Sequence, residues 1–166
     1  MTDQPGPKLL QPLEDTLIPA TSGPFVVRAL FNKKSEVVKF STIWDDFKKL
    51  FLDKIEPPAP ALKLRKYKLL RMAPDGPIIA ELGGEAKVAG TLAAAYVLLL
   101  RQAYGEPGLL QTNGFANIFY VPDKSGVLCA IRIGWAEDGW VVDAIPVADP
   151  LAWNGKHEIF CPVAGD

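Results

Sequence analysis

From Phe115 to Val147 the chain reads FANIFYVPDKSGVLCAIRIGWAEDGWVVDAIPV, with apolar residues at nearly every second position and two polar interruptions. A period of two is the signature of β-strands, whose successive side chains point to opposite faces. The interruptions, Pro122-Asp123-Lys124-Ser125-Gly126 and Ala136-Glu137-Asp138-Gly139, are rich in residues that preset φ or tolerate a positive one. The pattern predicts a three-strand antiparallel meander over 115–147. Closing the first turn with Val121 opposite Val127 pairs Phe119 with Cys129, Asn117 with Ile131 and Phe115 with Ile133. Closing the second with Trp135 opposite Trp140 sets Ile133 against Val142 and Arg132 against Asp143. One face is then apolar except for Asn117. The other holds Tyr120 and a charged pair, Arg132 with Asp143.

The rest of the chain is less regular. Phe25–Phe31 and Val37–Phe40 read as strands. Ile43, Phe47, Leu50 and Phe51 share a helical stripe, which predicts an amphipathic helix over 42–54, with Thr42 and Asp45 at capping-box spacing. Pro57, Pro58 and Pro60 make an extended connector. Leu62–Arg71 and Pro77–Leu82 read as strands, and residues 85–103 as one helix, apolar nearly all round. His157–Cys161 reads as a closing strand. Residues 1–23 hold Pro5, Pro7, Pro12 and Pro19 and little periodicity; they read as an arm, partly disordered or laid across the body. The expected fold is a single α+β domain over 24–166. Its mainly antiparallel sheet has the 85–103 helix packed on the meander and the 42–54 helix outside.

Composition narrows the function classes. A length of 166 residues suits one domain with a real core. A net charge of −1 supplies no global field for nucleic acid or an acidic membrane. The charge is uneven, with seven basic and three acidic residues over 61–103 and three basic and eight acidic over 104–166, which suggests neutralisation between neighbouring strands. Two cysteines, Cys129 and Cys161, make neither a disulfide framework nor a zinc site. The start of the chain does not read as a signal peptide, and Val88–Leu100 is too short to span a bilayer. The default compartment is the cytoplasm.

Each candidate for chemistry meets a simpler explanation. The run 63–71 has five basic residues and no acid; it reads as a phosphate or nucleic-acid stripe, or as a strand whose lysines guard a sheet edge, and the near-zero net charge favours the second. Gly83-Gly84-Glu85 fits a strand-to-helix turn and lacks a phosphate-loop pattern. His157, the only histidine, reads as a solvated residue after a turn. No nucleophile–base pair, metal-ligand spacing or cofactor fingerprint is present, so no catalytic residue, metal or cofactor is assigned. Asn117, Tyr120, Arg132 and Asp143 remain as candidate ligand-binding residues, and Trp135, Trp140 and Trp153 as a candidate interaction surface.

Four phrases carry a resemblance: IIAELGGEAK at 78–87, TNGFANIFYVPD at 112–123, DGWVVDA at 138–144 and WNGKHEIF at 153–160. The chain resembles a family of small uncharacterised bacterial proteins over most of residues 25–161. These motifs are glycines, aromatics and strand alternation, so the resemblance implies architecture and no activity. The leading expectation is a non-enzymatic protein that binds another protein or itself. The alternatives are a small-molecule binder or enzyme built on Tyr120, Arg132 and Asp143, and weak nucleic-acid binding through 63–71.

Overall fold

The computed structural model describes residues 8–163. Its strands are β1 (Leu10–Ile18), β2 (Phe25–Val26), β3 (Phe40–Ile43), β4 (Ile55–Glu56), β5 (Leu62–Leu69), β6 (Ala73–Pro74), β7 (Asn117–Pro122), β8 (Leu128–Ala136), β9 (Gly139–Pro146), β10 (Ala152–Trp153) and β11 (Glu158–Val163). Its helices are α1 (Val27–Leu30), α2 (Asp45–Phe51), α3 (Asp75–Glu81), α4 (Glu85–Val88) and α5 (Leu92–Arg101). Seven strands form one sheet in the order β1-β5-β11-β7-β8-β9-β3, with two small two-stranded pairings beside it. The sheet is mainly antiparallel, with parallel pairings at β11/β7 and β3/β9. None of the helices is long and apolar enough to cross a membrane.

A core packs on each face of the sheet. Phe119, Val121, Cys129, Ile131, Ile133, Trp140 and Val142 meet α5, α1 and α2 in the larger core. Ile118, Tyr120, Ala130, Ile159 and Cys161 meet α3, α4 and Trp153 in the second. The region expected as a meander is therefore the middle of a larger mixed sheet. Its first hairpin is two residues away from the expected register: Asn117 faces Ile133, and Phe119 faces Ile131. Asp123 is the cause. Its carboxylate accepts from the N–H groups of Ser125 and Val127, and its own N–H donates to the Val127 carbonyl. Residues 123–127 thus become the loop, and the ladder closes at Pro122 and Leu128. A slip of two keeps every side chain on its face, whereas a slip of one would invert them. Val127 leaves the core for the loop, and Phe115 precedes the strand.

Several helices and strands depart from expectation. Val27–Leu30 is a helical turn, because Val27 and Phe31 are buried at a spacing of four while Ala29 is exposed. Residues 75–81 form a helix, with Asp75, Ile78 and Ile79 buried at helical spacing. Thr42 lies in β3 and caps nothing; α2 starts at Asp45. That helix is not outside the core, since Phe47 and Phe51 are fully buried. The long helix expected over 85–103 is broken at 89–91. There Gly90 N–H donates to the Tyr120 carbonyl, and Thr91 starts α5 by accepting from Ala94 N–H. The buried carboxylate of Glu56 also accepts from Leu92 and Ala93 N–H at 2.8 and 2.9 Å.

Residues 8–23 of the expected arm lie on the body, where β1 pairs with β5; residues 1–7 fall outside the described residues. As a result β5 is an interior strand, flanked by β1 and β11, and its cations guard no edge. Two of them face carboxylates on the flanking strands. Arg65 meets Asp15 at 2.7 Å, and Lys66, nearly buried, meets Glu14 at 3.4 Å and Glu158 at 3.5 Å. Lys66 also donates to the Leu109 carbonyl. Among the described residues of 61–103, the expected neutralisation between strands is met at Arg65 and Lys66 only, and one acid of 104–166, Glu158, takes part.

Candidate functional site

The alternating face that carries Arg132 and Asp143 is covered at one end by α3, α4 and Trp153 and left open at the other. The open end is a groove of about 290 Å³ lined by Trp44, Gly114, Ala116, Arg132, Gly134, Trp135, Ala136, Val141 and His157. Its floor is the β8–β9 ladder. Gly134 sits there with nothing within 4 Å of where a Cβ would stand, so the floor is bare at its centre. Trp44, at the β3–α2 junction, contributes a half-exposed indole at one side.

Arg132 and Asp143 are directly opposite, and Arg132 Nη2 donates to Asp143 Oδ2 at 3.1 Å. Asp143 also accepts from Ala144 N–H, which fixes the carboxylate. Among the described residues, Arg132 Nε and Nη1 find no protein acceptor, and the side chain remains 40% exposed. A guanidinium held by one nitrogen and open at the others suits a carboxylate or phosphate. His157 is positioned by Ala116, whose N–H donates to His157 Nδ1 at 2.8 Å. Its ring lies edge-on to Phe115 and Trp153. Burial, and next the charge of Arg132, hold the imidazole below its ordinary pKa. The neutral ring therefore accepts at Nδ1 and presents Nε2–H as a donor.

The other candidates are engaged elsewhere. Asn117 is fully buried; its Nδ2 donates to the carbonyls of Gln111 and Ile133, and its Oδ1 accepts from Gln111 N–H. It anchors the loop before β7. Tyr120 shares the face of Arg132, opposite Ala130, but is buried and turned to another partner. Its hydroxyl donates to Asp75 Oδ1 at 2.7 Å, beside a second donor, Trp153 Nε1. Trp140 and Trp153 are buried and so form no surface; Trp140 Nε1 donates to the Gln102 carbonyl. Trp135 is the exception: it lines the groove while packing edge-on against Trp140 at 5.3 Å and against Gly105. Both cysteines are buried, and burial pushes each thiol up to about 11, which suits inert core thiols.

No family model, curated protein or solved structure matches this chain. Its function is therefore read from the site alone. Two of the groove's residues were not legible as functional: Trp44 is unremarkable in sequence, and His157 joins the site only because β11 runs beside β7. Among the described residues no group of three His, Cys, Asp or Glu side chains could hold a metal ion.

Asp75 gives a titration test of the covered end. Its Oδ2 is buried and unpartnered among the described residues. Burial raises its pKa above 3.8, by more than the hydrogen bonds from Tyr120 and Trp153 lower it. The folded chain therefore keeps a proton that the unfolded chain loses first as pH rises. The contribution of Asp75 to stability is full below 3.8 and is lost as pH rises through the folded value. Urea unfolding across this range is expected to show that decline in the wild type relative to Asp75→Asn. A difference independent of pH would place the proton elsewhere.

Proposed function

We propose that the protein is a non-enzymatic binding protein whose ligand is a small organic acid with a planar or apolar body. The observation that carries this reading is the set of open donors on Arg132 in a groove with Trp44 at its side. Arg132 and His157 Nε2 supply donors for an anionic group. The indole of Trp44 and the bare backbone at Gly134 offer room for a flat body. Catalysis has less support, because among the described residues the groove brings no nucleophile to the histidine.

Self-association through the free edge of β1 has less support too. That edge exposes Leu13 and Leu17, but Pro12, a register shift between Pro12 and Glu14, and the charges of Glu14 and Asp15 all interrupt it. Such features are how edge strands resist pairing. Nucleic-acid binding by β5 is weakened by its carboxylate partners on both sides.

The test is calorimetric titration with benzoate, phenylpyruvate and indole-3-carboxylate, each beside its neutral amide. At least one carboxylate is expected to bind where its amide does not. Arg132→Ala is expected to weaken that binding by about 10-fold to 100-fold, the range for a charge-assisted hydrogen bond. Equal binding of acid and amide, or an unchanged affinity in Arg132→Ala, would remove the reading.

A further inference from the structure

A second concavity, sharing no residue with the groove, lies between α1, the loop after it, β3 and α2. Its volume is about 400 Å³, which is within the range of small-molecule sites. Four cations from three separate segments line it: Arg28 from α1, Lys33 and Lys34 from the loop, and Lys48 from α2. Among the described residues no carboxylate lines it. This clustering occurs in a chain of net charge −1, so it does not follow from general basicity.

The cations differ from Arg65 and Lys66 of β5, which meet acids across the sheet. Here Arg28 meets Asp53 at 2.5 Å, while Lys33, Lys34 and Lys48 have no ion-pair partner among the described residues. The loop that carries two of them is held by its own hydrogen bonds. Asn32 Oδ1 accepts from Lys34 N–H, the Asn32 carbonyl accepts from Ser35 N–H, and Ser35 Oγ accepts from Val37 and Val38 N–H. Phe31, just before it, is buried in the main core and fixes its base. Bringing like charges together costs free energy that a bound anion would relieve. Thr42 adds a hydroxyl to the lining, and Phe31 and Ile43 add apolar surface behind the charges.

We infer that this cleft binds a small phosphorylated ligand, a diphosphate or a phosphate ester. A single carboxylate needs one cation, whereas a multiply charged phosphate group uses several, and the apolar lining accommodates an organic body. The inference is independent of the organic-acid reading of the groove.

The experiment is calorimetric titration of the full chain with inorganic pyrophosphate and with ADP at low ionic strength, where exposed charges are least screened. Saturable one-to-one binding is expected for both. Lys33→Glu/Lys34→Glu and, separately, Lys48→Glu are expected to weaken it at least tenfold. All three lysines are exposed, so both variants are expected to keep the wild-type circular dichroism and unfolding midpoint. Lys63→Glu/Lys68→Glu makes the same charge change on exposed positions of β5 and is expected to bind as the wild type does, as is Arg132→Ala. Failure of both anions to saturate would overturn the inference. So would an equal loss in the β5 control, because the binding would then be a response to overall charge.

Discussion

Glu56→Ala is expected to lose about 3–5 kcal/mol of stability, the cost of removing one partner from a buried, hydrogen-bonded charge cluster. Glu56 is 3% exposed and sits on the two-residue strand β4. One carboxylate oxygen accepts from Ala93 N–H; the other accepts from Leu92 N–H and from the Lys54 ammonium at 3.2 Å. The first N–H groups of a helix have no partner within the helix, and the helix dipole favours a negative charge beside them. α5 is the main helix of the larger core, with Leu92, Ala95 and Leu99 fully buried. Alanine leaves two N–H donors without their acceptor and leaves the Lys54 ammonium with the Pro122 carbonyl but no carboxylate. The loss is a large share of the roughly 5–15 kcal/mol that holds a typical domain folded. Glu56→Gln keeps one acceptor oxygen and is expected to lose less. Urea unfolding measures both, as a fall in midpoint at constant slope. A loss under about 1 kcal/mol in Glu56→Ala would mean that water replaces the carboxylate and that Thr91 alone caps the helix.

Gly139→Ala is expected to cost about 2–5 kcal/mol, from backbone strain and forced overpacking together. Gly139 closes the second hairpin with φ of +144°, a conformation that side chains with a Cβ rarely adopt. An added Cβ would stand 2.6 Å from Ser41 N and 2.9 Å from Lys39 O, both backbone atoms of the segment entering β3. That segment is the sheet's far edge, held by three paired residues of parallel ladder and by Trp140 N–H donating to the Lys39 carbonyl. The damage is therefore expected to be local. Hydrogen exchange should show lost protection in β3 with the β7–β8 hairpin intact. Because Trp44 follows β3 directly, organic-acid binding in the groove should weaken as well. Wild-type protection of β3 in the variant would show that the turn relaxes without moving the edge.

The two-residue period of 115–147 revealed strand identity and the division of side chains between faces, because alternation is local. It did not reveal the first hairpin's register, which depends on how the Asp123 side chain folds onto its own loop. The cross-strand pair Arg132–Asp143 was legible because the second turn closes tightly on Trp135 and Trp140. Short helices were misread where burial at a spacing of three or four occupies too few residues to establish a period, as at Asp75, Ile78 and Ile79. The break at Gly90 was hidden inside an apolar run; only its docking onto Tyr120 and the remote Glu56 locate it. The groove joins residues 44, 116, 132 and 157, and that junction depends on strand order rather than on any local pattern.

Strand order also bears on how the chain is assembled as it is made. β11 lies between β5 and β7, so the two halves of the sheet, β1-β5 and β7-β8-β9-β3, have no shared hydrogen bonds until residues 158–163 are available. Before then the inward edges of β5 and β7 face each other unpaired, and Lys66 lacks its Glu158 partner. Long-range pairing of this kind is slow to form and leaves open edges exposed in the interim. A nascent chain paused before Glu158 would be a pair of sticky half-sheets, and the release of six residues would convert it to a closed body.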